Sequence, residues 1–139
     1  MSDLHESTQR WLEQFLREQG AVAGTVHTLD VETDTLIMQA AVNIPPKVRE
    51  VTFHIPRGKG MAGLALERER PVSTCNLQDN RSGDVRPGAK AVDAAAAVAL
   101  PIVGTDGGVR AVVGLAYADQ REFADHDLEA LTRAASAVP

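Results

Sequence analysis

At 139 residues the chain fits one domain with a self-sufficient core, since a chain of this size buries about two-thirds of its unfolded surface. Lysine and arginine total 14 against 19 acidic residues, and the net charge of −5 excludes the basic footprint of a nucleic-acid-binding surface. The N-terminus, MSDLHESTQR, has no basic stretch ahead of an apolar one, and no apolar run reaches the roughly eighteen residues of a membrane span, so a soluble, cytoplasmic protein without nucleic-acid or membrane partners is expected. The single cysteine, Cys75, excludes an internal disulfide and a C-x-x-C metal clip.

The first element is a helix over 3–19, with Leu4, Trp11, Leu12, Phe15 and Leu16 at helical spacing, Asp3 and Glu6 placed as a capping pair and Gly20 at the stop. Its other side, Glu6, Gln9, Arg10, Glu13 and Arg17, is polar, so one stripe packs on a sheet or on a second copy. β-rich residues follow at 21–29 and 35–42 around the turn-like DVETD, which predicts a hairpin. Pro45 and Pro46 interrupt before VTFHI at 51–55 supplies a further short strand. LALERER at 64–70 reads as a short helix stopped by Pro71, and 76–92 as a long polar loop, a feature that in small domains is often functional.

Beyond the loop, an alanine run at 94–97 passes into VALPIV. The turn TDGG at 105–108 then leads into VRAVVGLAY at 109–117, whose Val109, Ala111, Val113, Leu115 and Tyr117 fall on one face. A last helix carries Leu128, Leu131, Ala135 and Val138 at helical intervals.

GKGMAG at 58–63 matches G-x-G-x-x-G, the spacing that opens a helix onto a pyrophosphate in dinucleotide-binding enzymes, and Asp79 lies 21 positions after Gly58. The order of elements argues against that reading. Strands and helices do not alternate, and no nucleotide-binding half can be completed downstream.

RGKGMAGLALERERPV, the polar middle and ALPIVGTDGGVRAVVGLAYADQREFADHDLEALTRAASAV together resemble a GAF domain along nearly the whole chain. The resemblance rests on Gly58, Gly60, Gly63, Pro71, Val72, Leu100, Pro101, Ile102, Gly114, Phe123, Asp127 and Leu131 in their order and spacing. It implies an α+β fold, PAS-related, with an antiparallel sheet of five or six strands, the N- and C-terminal helices on one face and a ligand pocket on the other. The glycines then form a turn at the pocket rim, and the 76–92 region roofs the pocket. The small residues Ala94, Ala95, Ala96 and Ala97 leave volume for a ligand, or equally let a neighbouring element pack closely.

Within this family the chain is also similar to the free methionine-R-sulfoxide reductases, through KAVDAAAAVALPIV. Their chemistry needs an attacking thiolate and a resolving thiol. The matching positions here hold Met61 and Val92, neither of which supplies a thiolate. Of the carboxylates expected around the substrate's amino group Asp119 is kept, while the others fall at Ala97 and Tyr117. Reductase activity is disfavoured, and Cys75 reads as a small buried hydrophobe.

The resemblance therefore implies a non-enzymatic, small-molecule-binding sensory or regulatory domain. Ligand-binding candidates are Met61, Asn76, Arg81, Asp84, Arg86, Asp93, Ala97, Tyr117 and Asp119, with Lys90 adding charge to the loop. The short helix after Gly60 presents free amides suited to an anion or carboxylate, so an amino acid, a nucleotide or a small anion is the expected ligand. His27 and His54 alternate with apolar residues on strands and read as structural, while His5 and His126 read as solvated. No metal site and no cofactor are expected. Terminal helices of such domains pair across a two-fold axis, and Trp11, Phe15, Leu128 and Leu131 offer an apolar seam for a homodimer that signals through its assembly or through a partner protein. A ligand-free dimerisation scaffold is the remaining alternative.

Overall fold

The computed structural model describes residues 2–74, 95–119 and 121–139. In chain order these form helix α1 (Ser2–Gln19), strands β1 (Ala23–Asp30) and β2 (Thr35–Val42), helix α2 (Pro46–Thr52), strand β3 (His54–Pro56), helix α3 (Gly60–Arg68), strands β4 (Val72–Thr74), β5 (Ala96–Val103) and β6 (Val109–Tyr117), and helix α4 (Asp125–Ala135). The strands make one sheet in the order β3-β2-β1-β6-β5-β4, and every neighbouring pair is antiparallel. This is the α+β architecture that the resemblance implies, with six strands.

The sheet is buried on both faces, and strand alternation assigns residues to each. One face carries Val26, Ala40, Ala96, Val98, Leu100, Ile102, Ala111, Val113, Leu115 and Tyr117 against Leu12, Phe15 and Leu16 of α1 and Ala135 of α4. Each such large apolar side chain contributes on the order of 1.5–3 kcal/mol on leaving water. The expected polar side of α1, from Glu6 to Arg17, is exposed apart from half-buried Gln9. Gln9 reaches the sheet edge, donating from Nε2 to the Ala41 carbonyl at 2.9 Å and accepting from the Ala41 amide at 3.2 Å. At the other terminus, Asp127 Oδ2 accepts from the Ala124 amide at 3.0 Å and caps the start of α4.

The second face packs on α3, through Leu36, Ile55, Val72, Ala99, Val109 and Val112 against Ala65 and Leu66. Val109 is a correction to the single face read from alternation. Ile102 pairs with Ala111 but Val103 pairs with Val109, so Arg110 is an extra residue. That bulge turns Val109 away from Ala111. Arg110 uses its position to donate from Nη2 to the Val138 carbonyl at 3.0 Å, tying down the end of the chain after α4.

A second correction concerns residues 46–55. Residues 46–52 form α2, and the strand is confined to His54–Pro56. Pro46 sits in the first turn, where its missing amide costs nothing, and the Arg49 amide donates to the Pro45 carbonyl at 3.0 Å. A seven-residue helix with one buried side chain, Val48, has too few turns to show a 3.6-residue period. The helix expected at 64–70 likewise begins earlier, at Gly60, and ends where Glu69 turns left-handed at φ 56° and donates its amide to the Ala65 carbonyl.

Candidate functional site

Two rows of small residues cross three adjacent strands on the α3 face. Ala97 of β5 pairs with Ala116 of β6, which pairs with Ala23 of β1. One row along, Ala99 pairs with Gly114, which pairs with Thr25. Small side chains in register leave a hollow that no single strand would make. A Cβ on Gly114 would lie 3.0 Å from Thr25 Oγ1, so even a methyl group there would crowd this floor.

Over the hollow lie Ile44, Val48 and Thr52 from α2 and its approach, Ile55 of β3, and Lys59, Gly60, Met61 and Ala62 at the start of α3. The cavity, open to solvent on one side, measures about 150 Å³ and its described walls are almost wholly apolar. It occupies the sheet face opposite α1 and α4, the side on which the pocket was expected.

The glycine turn forms part of its rim. Gly58 and Gly60 hold φ of 82° and 67°, the left-handed region that glycine enters without a Cβ penalty. The Gly58 amide donates to the Gly63 carbonyl at 2.9 Å, and the Gly63 amide donates to the Lys59 carbonyl at 3.1 Å. A Cβ on Gly63 would stand 2.6 Å from the Pro56 carbonyl oxygen, so only glycine lets α3 approach this turn. No side chain among the described residues caps the N-terminus of α3, and its first turn has no acidic residue.

His27 is one of four polar or charged lining residues, with Thr25, Thr52 and Lys59, that the sequence reading left out of the site. It lines the cavity beside Thr25 and is 2 % exposed. Its Nε2 lies 2.8 Å from the Thr52 carbonyl, one of the orphan acceptors at the C-terminus of α2. A carbonyl only accepts, so Nε2 carries the hydrogen. Nδ1 is buried and has no partner among the described residues. Burial pushes the imidazole pKa below its ordinary value, opposed by the smaller effect of the Thr52 carbonyl, and the ring is neutral with a lone pair on Nδ1. The sequence holds one signal for it, Thr25 and His27 on the same strand face, and pairing register is what sets that face against the small residues of the later strands.

Of the sequence-derived candidates, Met61 and Ala97 line the cavity, as does Gly60. Tyr117 and Asp119 are not brought to it. Tyr117 follows Ala116 on β6, and alternation sends it to the helix-covered face. There it lies 5.8 Å from the Phe123 ring, with the Arg121 guanidinium 3.9 Å above its ring centre. Asp119 Oδ1 accepts from Arg121 Nη2 at 2.8 Å. Asn76, Arg81, Asp84, Arg86, Lys90, Val92, Asp93 and Cys75 lie outside the described residues.

The four helix residues expected at a dimer seam all contact the chain's own core. Phe15 is buried, with Trp11 stacked on it at 4.7 Å, while half-buried Leu128 and Leu131 pack against the same cluster. Among the described residues no three histidine, cysteine or carboxylate side chains gather to hold a metal ion, and no helix is long and apolar enough to cross a membrane.

Several solved structures share this architecture. The GAF domain from a phosphoenolpyruvate-protein phosphotransferase of Coxiella burnetii superposes with a TM-score of 0.77 at 18 % identity, over 96 % of this chain and 78 % of that one. A type II free methionine-R-sulfoxide reductase from Thermoplasma acidophilum gives 0.72 at 16 % identity, over 95 % and 89 %. The second GAF domain of DevS from Mycobacterium smegmatis gives 0.68 at 19 % identity, over 96 % and 89 %. At such identities the likeness is one of fold. No curated protein matches the chain. The sequence model described as GAF domain, however, matches residues 1–138, and with the glycine turn, the six-stranded sheet and the two terminal helices on one face in place, this chain belongs to the GAF domain family.

Proposed function

We propose that this GAF domain is a non-enzymatic small-molecule receptor, a regulatory module whose ligand occupies the cavity between the sheet and α2–α3. The observation that carries the reading is the two-row floor of Ala97, Ala99, Gly114, Ala116 and Thr25 under a roof of separate short elements. Cores are packed to near-crystalline density, and a hollow built from aligned small residues on three strands is the space a ligand fills. α2 and the start of α3 close over it, so occupancy would alter their packing and offer a signal to a partner surface.

The reductase alternative is disfavoured by chemistry. Met61 stands at the cavity rim where the resemblance calls for a thiol, and the chain's one cysteine cannot both attack a sulfoxide and resolve the product within the molecule. Methionine-R-sulfoxide turnover by the purified protein would overturn the non-enzymatic reading. A homodimer through α1 and α4 is the assembly this reading uses, with half-buried Trp11, Leu128 and Leu131 as its apolar contribution. The pure scaffold alternative gains no support, because Leu12, Phe15 and Leu16 are spent on the sheet.

The test is native mass spectrometry of the purified protein beside the variant Ala97→Leu, which fills the floor, followed by a thermal-shift screen of amino acids, nucleotides, small anions and small neutral aromatics. The reading expects a retained mass or a stabilising compound in the unaltered protein that Ala97→Leu loses. Identical masses and identical responses in both proteins would sink it.

A further inference from the structure

Strand β2 has unequal neighbours. On its inner side β1 pairs with it from Thr35 to Val42, with one extra residue at Gln39. On its outer side β3 reaches only Thr35, Leu36 and Ile37. The Met38 amide still donates to the Phe53 carbonyl at 2.9 Å, but beyond it no strand among the described residues lies against residues 39–42. An open row of backbone groups is a template for another strand, and proteins guard such edges with charges, prolines or a covering element. The segment TLIMQAAV at 35–42 holds no charge, no proline and no glycine, a composition that pairs readily with itself. A groove bounded by Gln9 and by Pro46, Arg49 and Phe53 runs beside the open stretch, so the edge is reachable.

A side chain takes the place of the missing strand. Gln9 Nε2 donates to the Ala41 carbonyl at 2.9 Å and the Ala41 amide donates to Gln9 Oε1 at 3.2 Å, so one carboxamide satisfies both outward groups of one residue. A carboxamide carries the donor and the acceptor of a peptide group, and this two-way exchange is the pattern of an antiparallel neighbour. Leu12 and Leu16, three and seven positions along α1, share the side of the helix that carries Gln9 and are buried on the sheet, which fixes its approach. We propose that Gln9 is an autoinhibitory contact: its carboxamide stands in for a strand on the outer edge of β2 and keeps residues 39–42 from pairing with the same edge of a second copy of this chain. A strand paired antiparallel with its own copy about a two-fold axis is self-complementary, and an uncharged segment meets no like-charge repulsion across the pair. Lifting Gln9 from the edge exchanges an intramolecular pair for an intermolecular one. The contact is independent of the cavity and its ligand, and it guards the edge of the sheet rather than the outer faces of α1 and α4.

Three variants of the whole chain test it. Gln9→Ala removes the stand-in, and Gln9→Asn leaves a carboxamide one methylene too short to reach Ala41. Gln9→Glu keeps the size and the acceptor, loses the donor to the Ala41 carbonyl, and places a negative charge at the edge. Sedimentation and hydrogen exchange resolved at the Ala41 amide are followed for each protein over a dilution series. When dilute, Gln9→Ala and Gln9→Asn should exchange that amide about tenfold faster than the unaltered protein does. On concentration their mass should rise above that of the unaltered protein while the Ala41 amide slows again, the mark of a strand added at that residue. Gln9→Glu should keep the unaltered protein's mass, because a charge on the edge opposes strand addition. Equal association by Gln9→Glu would trace the effect to lost stability and overturn the proposal. Association that leaves Ala41 unprotected, or variants that match the unaltered protein at every concentration, would overturn it as well. If the variants fail to fold, the unaltered protein decides: slow exchange at Ala41 supports the guard, and exchange like that of an unbonded surface amide overturns it.

Discussion

His27 Nε2 donates to the Thr52 carbonyl across 2.8 Å, so a strand of the sheet holds the C-terminal end of the short helix that roofs the cavity. The bond joins residues 25 positions apart and is made by a ring that is 2 % exposed.

That burial predicts a pH dependence. His27 has its folded pKa lowered from an unfolded value of 6.5, so in the window below 6.5 the unfolded chain binds a proton that the folded one refuses. Stability is therefore complete above 6.5 and falls as the pH drops from there towards the folded pKa. Urea unfolding at about pH 7.5 and about pH 5.5 should show the lower midpoint in acid, with a shallower difference in His27→Gln. An equal pH slope in the two proteins would show that His27 is not the group responsible.

Gly60 and Gly63 should fail for different reasons. Gly60→Val forces a β-branched residue to φ 67° and should cost about 1–2 kcal/mol. Gly63→Ala drives a methyl group to 2.6 Å from a backbone oxygen that no side-chain rotation can move, with a cost of about 1–3 kcal/mol. Denaturant midpoints measure both, and a neutral Gly63→Ala would mean that α3 stands farther from the turn.

Phe15 and Trp11 separate core from seam. Phe15 is 3 % exposed, and Phe15→Ala should destabilise the fold by about 3–5 kcal/mol. Trp11 is half-buried on top of it, so Trp11→Ala should cost less and should weaken any dimer. Sedimentation over a concentration series beside urea unfolding reports the two effects. Loss of association without loss of stability in Phe15→Ala would contradict the placement of that ring in the core.

Asp119 pairs with Arg121, and the Tyr117 ring beneath that guanidinium faces away from the cavity. Asp119→Asn should therefore leave the retained mass and the affinity for any compound that stabilises the unaltered protein unchanged. A several-fold loss of affinity would bring that segment back into the site.

Much of this protein was legible in the sequence. The spans 35–42 and 109–117 are strands as read, because alternation over eight or nine residues is a local signal that burial on one face reinforces. The glycine turn was legible because two positive φ values and one close approach leave no other residue type. Helix α2 was not, since VTFHI at 51–55 alternates like a strand and overlaps the end of a helix of only seven residues, which Pro46 opens and whose Thr52 carbonyl meets His27.

Periodicity along the sequence marked most of the helices and strands, and the order and spacing of Gly58, Gly60, Gly63, Pro71, Pro101 and Gly114 carried the resemblance that implied the family and the terminal helices on one face. The site was decided by pairing register. Ala97, Ala116 and Ala23 are unremarkable alanines until three strands align them, and a bulge at Arg110 separates Val109 from its alternating neighbours. Tyr117 and Ala97 looked like members of one site, yet one residue of β6 separates the cavity face from the helix face. Side-chain direction on a strand inverts at every residue, and facing depends on hydrogen-bonded partners far away in sequence, so tertiary structure alone could bring His27 to the hollow.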